Sequence, residues 1–247
     1  MKKLIYLSAF LTIFAMACKK DIAVNPEPLL ASLNIVNVAT DDFAVYINPF
    51  KSEIIYTKQN SQNSPLYLKN SIVYGIRSGS ADLKVVSASD TLKTFYSNTV
   101  NLEPLKMYSL FIAGNASKRE NLLVKDDIIP RYTDSALAVR VINLSSDGPS
   151  INLSISGNSL GTNISYKEKS EFKKISLSGS QGRNGLDFDI IDASSGQILT
   201  TFNLSQYGYP ISSTSARFKA ITLVVFGSLS SAPFSTDSYQ VFASPNY

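Results

Sequence analysis

Apolar residues recur at every second position over several short stretches of the chain, which is the pattern of half-buried β-strands. Leu33 and Ile35 alternate with polar or small neighbours, as do Val45 and Ile47, and a later run at residues 186–190 behaves in the same way. Clusters of Ser, Thr, Asn, Asp and Gly separate these stretches and indicate turns. No window has a convincing 3.6-residue apolar period, so the pattern predicts an all-β fold.

The pattern occurs twice along the chain, at an offset of 106 residues in the first matched block and of 105 and 113 in the two that follow. Three blocks match in the same order: residues 33–47 with 139–153, 82–89 with 187–194, and 108–114 with 221–227. Matched blocks in one order indicate an internal duplication whose unit has the size of a small domain. With about seven short strands per repeat, we predict two tandem antiparallel β-sandwich (Ig-like) domains.

The first 18 residues, MKKLIYLSAFLTIFAMAC, are organised as a bacterial secretory signal. Lys2 and Lys3 precede an apolar run that is shorter than the roughly 20 residues a membrane-spanning helix needs. Residues 15–18, AMAC, resemble a lipobox, in which the cysteine thiol receives a diacylglycerol. Cys18 is the only cysteine and has no disulfide partner. We predict a signal peptide over residues 1–17 and lipidation of Cys18; an ordinary signal peptide with an incidental cysteine is the alternative.

The remaining chain divides by composition. We predict a lipidated cysteine and tether over residues 18–30, a first sandwich over 31–117, a polar linker over 118–135 and a second sandwich over 136–247. Few contacts should cross the linker, which could still hold a short edge strand, and the second sandwich should lie outermost. The residue after Cys18 is Lys19, whereas an aspartate there would resemble an inner-membrane retention signal. We therefore predict an outer-membrane anchor, and we leave open whether the domains face the periplasm or the cell surface.

Charge and residue types exclude several classes of function. The chain has no His, which removes the usual general base near neutral pH and the commonest transition-metal ligand. Without residues 1–17 it carries 21 basic and 19 acidic residues, a balance that does not indicate nucleic-acid binding. No later segment reaches the 18 apolar residues of a membrane span. We predict no enzymatic activity, no cofactor, no metal and no nucleic-acid partner.

The most motif-like polar residues are Asn37 with Asp41, and their equivalents Asn143 with Asp147. Asn and Asp side chains accept backbone N–H groups and stabilise turns, which is the interpretation we favour. The alternative is a ligand or calcium site at one end of each sandwich, because hard cations bind carboxylate and carbonyl oxygens.

Aromatic side chains supply the candidates for ligand binding, since exposed rings stack on sugars or fill a partner's pocket. Tyr207 and Tyr209 are the first candidates, and Tyr56 and Tyr67 follow. The alternative for the aromatic residues late in the sequence is packing against the second sandwich; these are Tyr207, Tyr209, Phe234, Tyr239, Phe242 and Tyr247.

Two charged clusters have less specific interpretations. Asp187 and Asp189 should share one face of a strand and could act as a glycosidase-type carboxylate pair, although a solvated sheet face is the favoured explanation. The lysines of residues 166–174, YKEKSEFKK, could meet anionic polysaccharide or lipid headgroups, but interleaved glutamates favour a solvated edge.

Each repeat has a hydrophobic strand ending in Asn, a polar turn with Asp, a second alternating strand and a closing run that ends in Gly. This pattern resembles that of the family called domain of unknown function 4397. The matching residues are 36–37, 41, 45–47 and 108–114 in the first repeat and 142–143, 147, 149, 151–153 and 221–227 in the second. The first repeat has Phe43 in place of the Pro. The resemblance implies an extracytoplasmic, often lipid-anchored and tandem β-sandwich protein, and it supplies no catalytic residues.

These observations together predict a non-enzymatic outer-membrane lipoprotein that presents two β-sandwich modules to a glycan or an envelope protein. A structural spacer or assembly subunit is the first alternative, and a carboxylate-dependent hydrolase is the second.

Overall fold

The computed structural model describes residues 29–49, 64–115, 117–126, 129–177, 186–204 and 218–246. The regular secondary structure of the described part is almost entirely β-strand. These are β1 (Leu30–Ala39), β2 (Ala44–Asn48), β3 (Leu66–Tyr67), β4 (Asn70–Arg77), β5 (Gly79–Ser87), β6 (Thr94–Leu102), β7 (Met107–Gly114), β8 (Arg119–Asp126), β9 (Ala136–Asn143), β10 (Ile151–Ile155), β11 (Asn158–Ile164), β12 (Lys173–Ser176), β13 (Asp187–Asp192), β14 (Ile198–Asn203), β15 (Ala220–Phe226) and β16 (Gln240–Pro245).

The strands form four sheets, two in each sandwich. The first sandwich combines the sheets β4-β1-β7-β8 and β3-β2-β5-β6, and the second combines β12-β9-β15-β16 and β11-β10-β13-β14. The prediction of an all-β protein with two sandwiches is confirmed. Each sandwich has eight described strands in the same spatial order, where the sequence indicated about seven.

Strand pairing is antiparallel except at one position in each sandwich. β1 pairs with β7 and β9 pairs with β15 in parallel, in equivalent registers: Leu33 lies opposite Tyr108, and Val139 lies opposite Ile221. The offsets match those of the sequence repeat. Parallel neighbours need a long crossover, which the strands of the second sheet supply in both halves.

β8 lies in the stretch predicted to be the linker, and it is the short edge strand that this prediction allowed. It pairs antiparallel with β7 along its whole length, from Met107 opposite Asp126 to Gly114 opposite Arg119. β8 therefore belongs to the first sandwich, and nine residues, 127–135, separate it from β9.

Gly114 and Gly227 end β7 and β15 in equivalent conformations. Their φ angles are +89° and +85°, which favour glycine. A Cβ on either residue would lie 2.1 Å from a backbone oxygen, that of Lys118 or that of Ser238. The closing glycine of each repeat thus allows the next strand to turn back against the sheet.

Each sandwich has its own core, and the two sheets nearest the middle of the molecule are apolar on both faces. In β1, Leu33 and Ile35 face the first core, whereas Val36 and Val38 face away from it. The outward side chains pack against the equivalent sheet of the second sandwich. This face-to-face contact, which we call the seam, includes Val36, Val38, Phe111, Ala113, Val124, Ile142, Leu144, Val224 and Phe226.

A buried ion pair joins the sandwiches across the seam. Arg140 on β9 lies 2.6 Å from Asp126 on β8, and their side chains are 3% and 2% exposed. Arg140 also donates from Nε to Thr222 Oγ1 at 2.8 Å and stacks on Phe172. Ser109 donates to Asp126 at 2.7 Å. The expectation that few contacts cross between the repeats is therefore wrong.

A second, more exposed cluster closes one rim of the seam. Glu120 of the first sandwich lies 3.1 Å from Lys118 and also pairs with Lys167 of the second sandwich. Both lysines lie over the ring of Tyr166. Burial alone would raise the pKa of Glu120, but hydrogen bonds from Lys167, Lys118 and Tyr166 prevail, so this pKa is lowered.

The two sandwiches lie side by side, with β1, β7, β9 and β15 all beginning at the same end. Near that end, Asn34 Nδ2 on β1 lies 3.4 Å from Ser244 Oγ on β16. At the other end, Gly114 and Gly227 line one small cleft between the sandwiches. We call the end where β1 begins the entry pole and the opposite end the far pole. Neither sandwich is outermost along this axis, contrary to the expectation from sequence.

Candidate binding surface

Buried asparagines tie the two sheets of each sandwich together near the far pole. Asn37 is fully buried; its Nδ2 donates to Leu66 O at 3.0 Å, and its Oδ1 accepts the Ala39 N–H at 3.1 Å. Asn143 makes the equivalent bonds, at 3.2 Å each, and also donates to Pro149 O at 3.1 Å. Both side chains thus serve the turn that follows the strand and the strand opposite.

Asp41, in the turn after β1, has cationic partners. Its Oδ2 lies 2.9 Å from Lys93 Nζ and 3.0 Å from Arg119 Nη2, and its side chain is 5% exposed. Lys93 and Arg119 both lie over the ring of Phe95. The carboxylate therefore fastens the first far-pole turn to β8 and to the turn between β5 and β6.

Asp147 occupies the equivalent position in the second sandwich but has no cation among its described contacts. It accepts hydrogen bonds from the hydroxyls of Ser228 and Ser230, at 2.5 and 3.0 Å, and from the amides of Leu229 and Ser230. Although the residue as a whole is exposed, partial desolvation of its carboxylate by itself would raise the pKa of Asp147; the hydrogen bonds prevail and lower this pKa. Burial and the charges of Asp192 and Asp147 raise the pKa of neighbouring Tyr239.

Within the described residues, both carboxylates are engaged by groups of the protein itself. Across the described ranges, no group of three or more His, Cys, Asp or Glu side chains is arranged to hold a metal ion. The same ranges contain no helix long and apolar enough to cross a membrane.

An exposed aromatic pair lies at the far pole of the first sandwich. The rings of Phe43 and Tyr67 meet edge to face, with centroids 5.5 Å apart, and the two residues are 69% and 48% exposed. Leu68 N–H donates to Phe43 O at 2.7 Å, which holds the β3–β4 turn against the start of β2. The second sandwich has Pro149 and Ser165 at the equivalent positions.

Other large apolar side chains are exposed in the loops at this pole. Leu92 is 91% exposed and Phe234 is 102% exposed, and Leu229 and Ile198 are 42% and 59% exposed. Exposed apolar groups that cluster at one end of a protein indicate a contact surface. The surface formed by Phe43, Tyr67, Leu92, Ile198, Leu229 and Phe234 is called here the far-pole surface.

Of the tyrosines proposed from sequence, only Tyr67 falls within the described residues. Tyr56, Tyr207 and Tyr209 lie outside them, as does Cys18. Among the late aromatic residues, Tyr239 packs against the second core and Phe242 against the seam, whereas Phe234 projects from the loop between β15 and β16.

Sequence reasoning missed Phe43 as a candidate surface residue. The available signal was a bulky aromatic residue in the turn cluster TDDF, residues 40–43, where polar residues otherwise predominate. Leu92 and Leu229 gave a similar signal in their Ser-rich loops. A turn composition alone does not distinguish an exposed ring from one that folds back on the core.

The carboxylates of β13 share a strand face but are held separately. Phe188 and Ile190 are fully buried, while Asp187 and Asp189 point outward. Asp187 accepts from Asn203 Nδ2 at 2.5 Å, and Asp189 accepts from Thr201 Oγ1 at 2.7 Å. Each is thus half of a cross-strand pair on a solvated sheet face.

The lysine-rich stretch does not form one cationic patch in the described structure. Lys167 pairs with Glu120, and Lys174 pairs with Asp134 at 2.6 Å. Lys173 and Lys174 belong to β12, an edge strand, where charged side chains oppose pairing with other chains.

A separate polar hollow lies on the outer face of the β3-β2-β5-β6 sheet. It is open to solvent and has a volume of about 510 Å³. Its lining is Asn48, Asp82, Leu83, Lys84, Ser97, Asn98 and Thr99, almost all polar. Asp82 accepts from Thr99 Oγ1 at 2.5 Å. The hollow offers hydrogen-bonding groups but no described aromatic ring.

Three solved structures are similar to the chain at low identity. A protein proposed to be an adhesin from Bacteroides ovatus is 11% identical, covering 87% of this chain and 93% of its own, with a TM-score of 0.29. CBMbc (family CBM26) from Eubacterium rectale Amy13K, solved with maltoheptaose, is 12% identical, covering 87% and 96%, with a TM-score of 0.26. A streptococcal virulence factor that binds α-glucan is 11% identical, covering 86% and 96%, with a TM-score of 0.24.

No curated protein matches the chain. One family does: the model described as Domain of unknown function (DUF4397) matches residues 31–154. The match begins at the second residue of β1, includes the rest of the first sandwich and ends within β10. It covers 124 of the 247 residues, half of the chain, and the protein therefore belongs to the DUF4397 family.

Proposed function

We propose that this protein is a non-enzymatic lipoprotein of the outer membrane that binds a glycan at its far pole. The observation that carries the proposal is the exposed Phe43–Tyr67 pair on the far-pole surface. Aromatic rings present a flat apolar face, and the C–H face of a sugar ring stacks on such a surface. The loops that hold the pair are fixed to the sandwich by Asp41 and Asn37, so little ordering should accompany binding.

Polar groups beside the pair suit the hydroxyls of a sugar. Asp42, next to Phe43, accepts hydrogen bonds from Ser87 and Ser89. Lys93 and Arg119, which lie over Phe95, add partly exposed donors at the same pole. A surface with rings and fixed donors and acceptors is typical of sites that orient a polar ligand.

The anchor is the second part of the proposal. Lipidation of Cys18 would hold the protein at the membrane through buried acyl chains, since each buried CH₂ contributes about 0.8 kcal/mol. Because β1 begins at the entry pole, a tether attached there leaves the far pole directed away from the bilayer. The aromatic pair would then be the part of the molecule most accessible to a glycan.

For each alternative function, one specific observation speaks for or against it. A spacer or assembly subunit agrees with the rigid seam, which makes two sandwiches into one body. A carboxylate-dependent hydrolase would need Asp187 and Asp189 to act on one bond, and their separate cross-strand partners do not favour this.

A glycan array probed with the full chain in detergent tests the proposal. We expect binding to at least one glycan, with Phe43→Ala and Tyr67→Ala each weakening it about tenfold, the loss of one stacking contact. Leu105→Ala, at the entry pole, is the matched control and should bind as the wild type does.

Equal binding by all four proteins would contradict the assignment to this surface. No binding across a broad panel, together with stoichiometric partners that co-purify from solubilised membranes, would favour the assembly subunit instead.

A further inference from the structure

The entry pole carries a repeated feature that the proposed glycan site does not use. Leu105 and Phe218 occupy equivalent positions, each two residues before the first residue of β7 or β15. The Leu105 N–H donates to Leu30 O and the Phe218 N–H donates to Ala136 O, each at 2.9 Å. Both side chains are exposed, by 75% and 48%.

The backbone at these two positions is unusual for bulky residues. Their φ angles are +60° and +63°, in the left-handed region that favours Gly or Asn. A large apolar residue there has a backbone penalty, and its exposure to water adds a second cost. The occurrence of both costs at equivalent positions of the two sandwiches indicates a role outside the folded body.

The neighbours of these residues make the pole amphipathic. Leu29 and Leu30, where β1 begins, are each 54% exposed, and the Leu30 carbonyl accepts the Leu105 N–H. Lys106 and Lys219 follow Leu105 and Phe218 directly. Arg77, opposite Leu30 in the β1–β4 pair, is also exposed. The pole thus has apolar tips flanked by cations.

Two acidic groups near the pole are paired with cations. Glu103, in the turn that contains Leu105, lies 2.7 Å from Lys125 Nζ. Asp134, just before β9, lies 2.6 Å from Lys174 Nζ. These ion pairs limit the repulsion that an anionic surface would meet at this end.

The length of the tether limits how far this pole can lie from the bilayer. Ten residues separate Cys18 from Leu29. Even fully extended they span at most about 36 Å, because a residue adds at most about 3.6 Å. The two inner sheets stack about 10 Å apart, so Leu105 and Phe218 are presented together at the same end. The entry pole can therefore reach the bilayer surface.

We propose that the entry pole docks on the membrane surface, with Leu105 and Phe218 among the lipid headgroups and acyl boundary and Lys106 and Lys219 against anionic lipid phosphates. This inference rests on the proposed lipidation of Cys18. Apolar side chains and lysines are the two residue types that bind such an interface. Docking would hold the body upright and keep the far-pole surface away from the bilayer.

The chain has no Trp, so a single introduced Trp reports on its own surroundings. The full lipidated protein carrying Phe218→Trp is added to vesicles of phosphatidylcholine and phosphatidylglycerol with brominated acyl chains. We expect a blue-shifted emission and quenching at least threefold stronger than for Phe234→Trp, the matched control at the far pole. Leu105→Trp should behave like Phe218→Trp. Adding Lys106→Glu and Lys219→Glu to Phe218→Trp should reduce the quenching by about half or more.

Flotation of the same samples separates the two proposals. If the protein does not float with the vesicles, the lipid anchor fails. If it floats but the Trp residues at positions 218 and 234 are quenched equally, the docking proposal is overturned and the anchor stands. A blue shift at position 218 that grows with protein density, without lipid quenching, would show that a second copy covers the pole, and it would equally overturn docking.

Discussion

The two sandwiches share a framework and differ at the far pole. Asn37 and Asn143 make the same buried hydrogen bonds, whereas Asp41 pairs with Lys93 and Arg119 and its equivalent Asp147 is held by serines. The aromatic pair of the first sandwich is replaced by Pro149 and Ser165 in the second. Residues that join the sheets are thus the same in both copies, while residues that face outward in the loops differ. A binding function that differs between the copies would reside in these loops.

The strength of the seam determines whether the two sandwiches unfold together or as separate units. Arg140→Met should lower the free energy of unfolding by about 3–5 kcal/mol, because it leaves Asp126 buried without its cation. If the seam couples the sandwiches, urea unfolding followed by far-UV circular dichroism should remain a single transition in the wild type. The double variant Arg140→Met/Asp126→Leu should recover most of the loss.

The exposed pair of Lys125 and Glu103 is the matched control. Lys125→Met should change the free energy of unfolding by no more than about 0.5 kcal/mol. Two well-separated transitions in the wild type, or equal effects of the two substitutions, would show that the sandwiches unfold independently.

Replacing the buried asparagine should destabilise the protein equally in either sandwich. Asn37→Ala and Asn143→Ala are each expected to cost about 2–3 kcal/mol, since each leaves buried backbone groups without hydrogen-bond partners. Asn152, which accepts one exposed N–H from Asn163, supplies the control, and Asn152→Ala should cost under about 1 kcal/mol. A large effect in only one sandwich would argue against a shared framework.

Replacing the equivalent aspartates should lower the free energy of unfolding by different amounts in the two sandwiches, and by less than the asparagine substitutions do. Asp41→Asn should cost about 2 kcal/mol, because Lys93 and Arg119 lose a nearly buried carboxylate. Asp147→Asn should cost only about 1 kcal/mol, since Asp147 is exposed and solvent weakens its hydrogen bonds. Urea unfolding at neutral pH measures both, and an equal loss would contradict the distinction.

The effect of Asp147 should also depend on pH. Its pKa is lowered in the folded protein from the ordinary value of 3.8, so its contribution to stability is complete above pH 3.8 and is lost as the pH falls further. The stability difference between the wild type and Asp147→Asn should therefore narrow in urea titrations below pH 3.8. A difference that stays constant down to pH 2 would contradict the role of the charged carboxylate.

The fold class could be predicted because alternation and repetition are local properties of the sequence. The equivalence of Leu33 with Val139 and of Tyr108 with Ile221 fixed the repeat, and the same offsets recur in the strand registers. The parallel pairing of β1 with β7 could not be foreseen, because a hydrophobic pattern gives the face of a strand but not its neighbour.

The seam was missed although the sequence contained a signal. The strands β7, YSLFIAG within residues 107–114, and β15, AITLVVF, are continuous apolar runs instead of alternating ones, which is typical of strands buried on both faces. The polar residues in and after β8 indicated a spacer, but Asp126 is polar because it meets Arg140. A buried ion pair between distant segments has no local signature, and the exposure of Phe43 likewise depends on how its turn packs.

Because the inner sheets are apolar on both faces, the two sandwiches together form the smallest part of the protein that can be produced by itself. Cutting the chain between β8 and β9 would expose Phe111 and Val36 on one fragment and Val224 and Phe226 on the other, together with an unpaired charge on each. Such fragments would tend to aggregate or to pair with each other. Recombinant work on this family member should therefore keep residues 29–246 intact, even when only one sandwich is of interest.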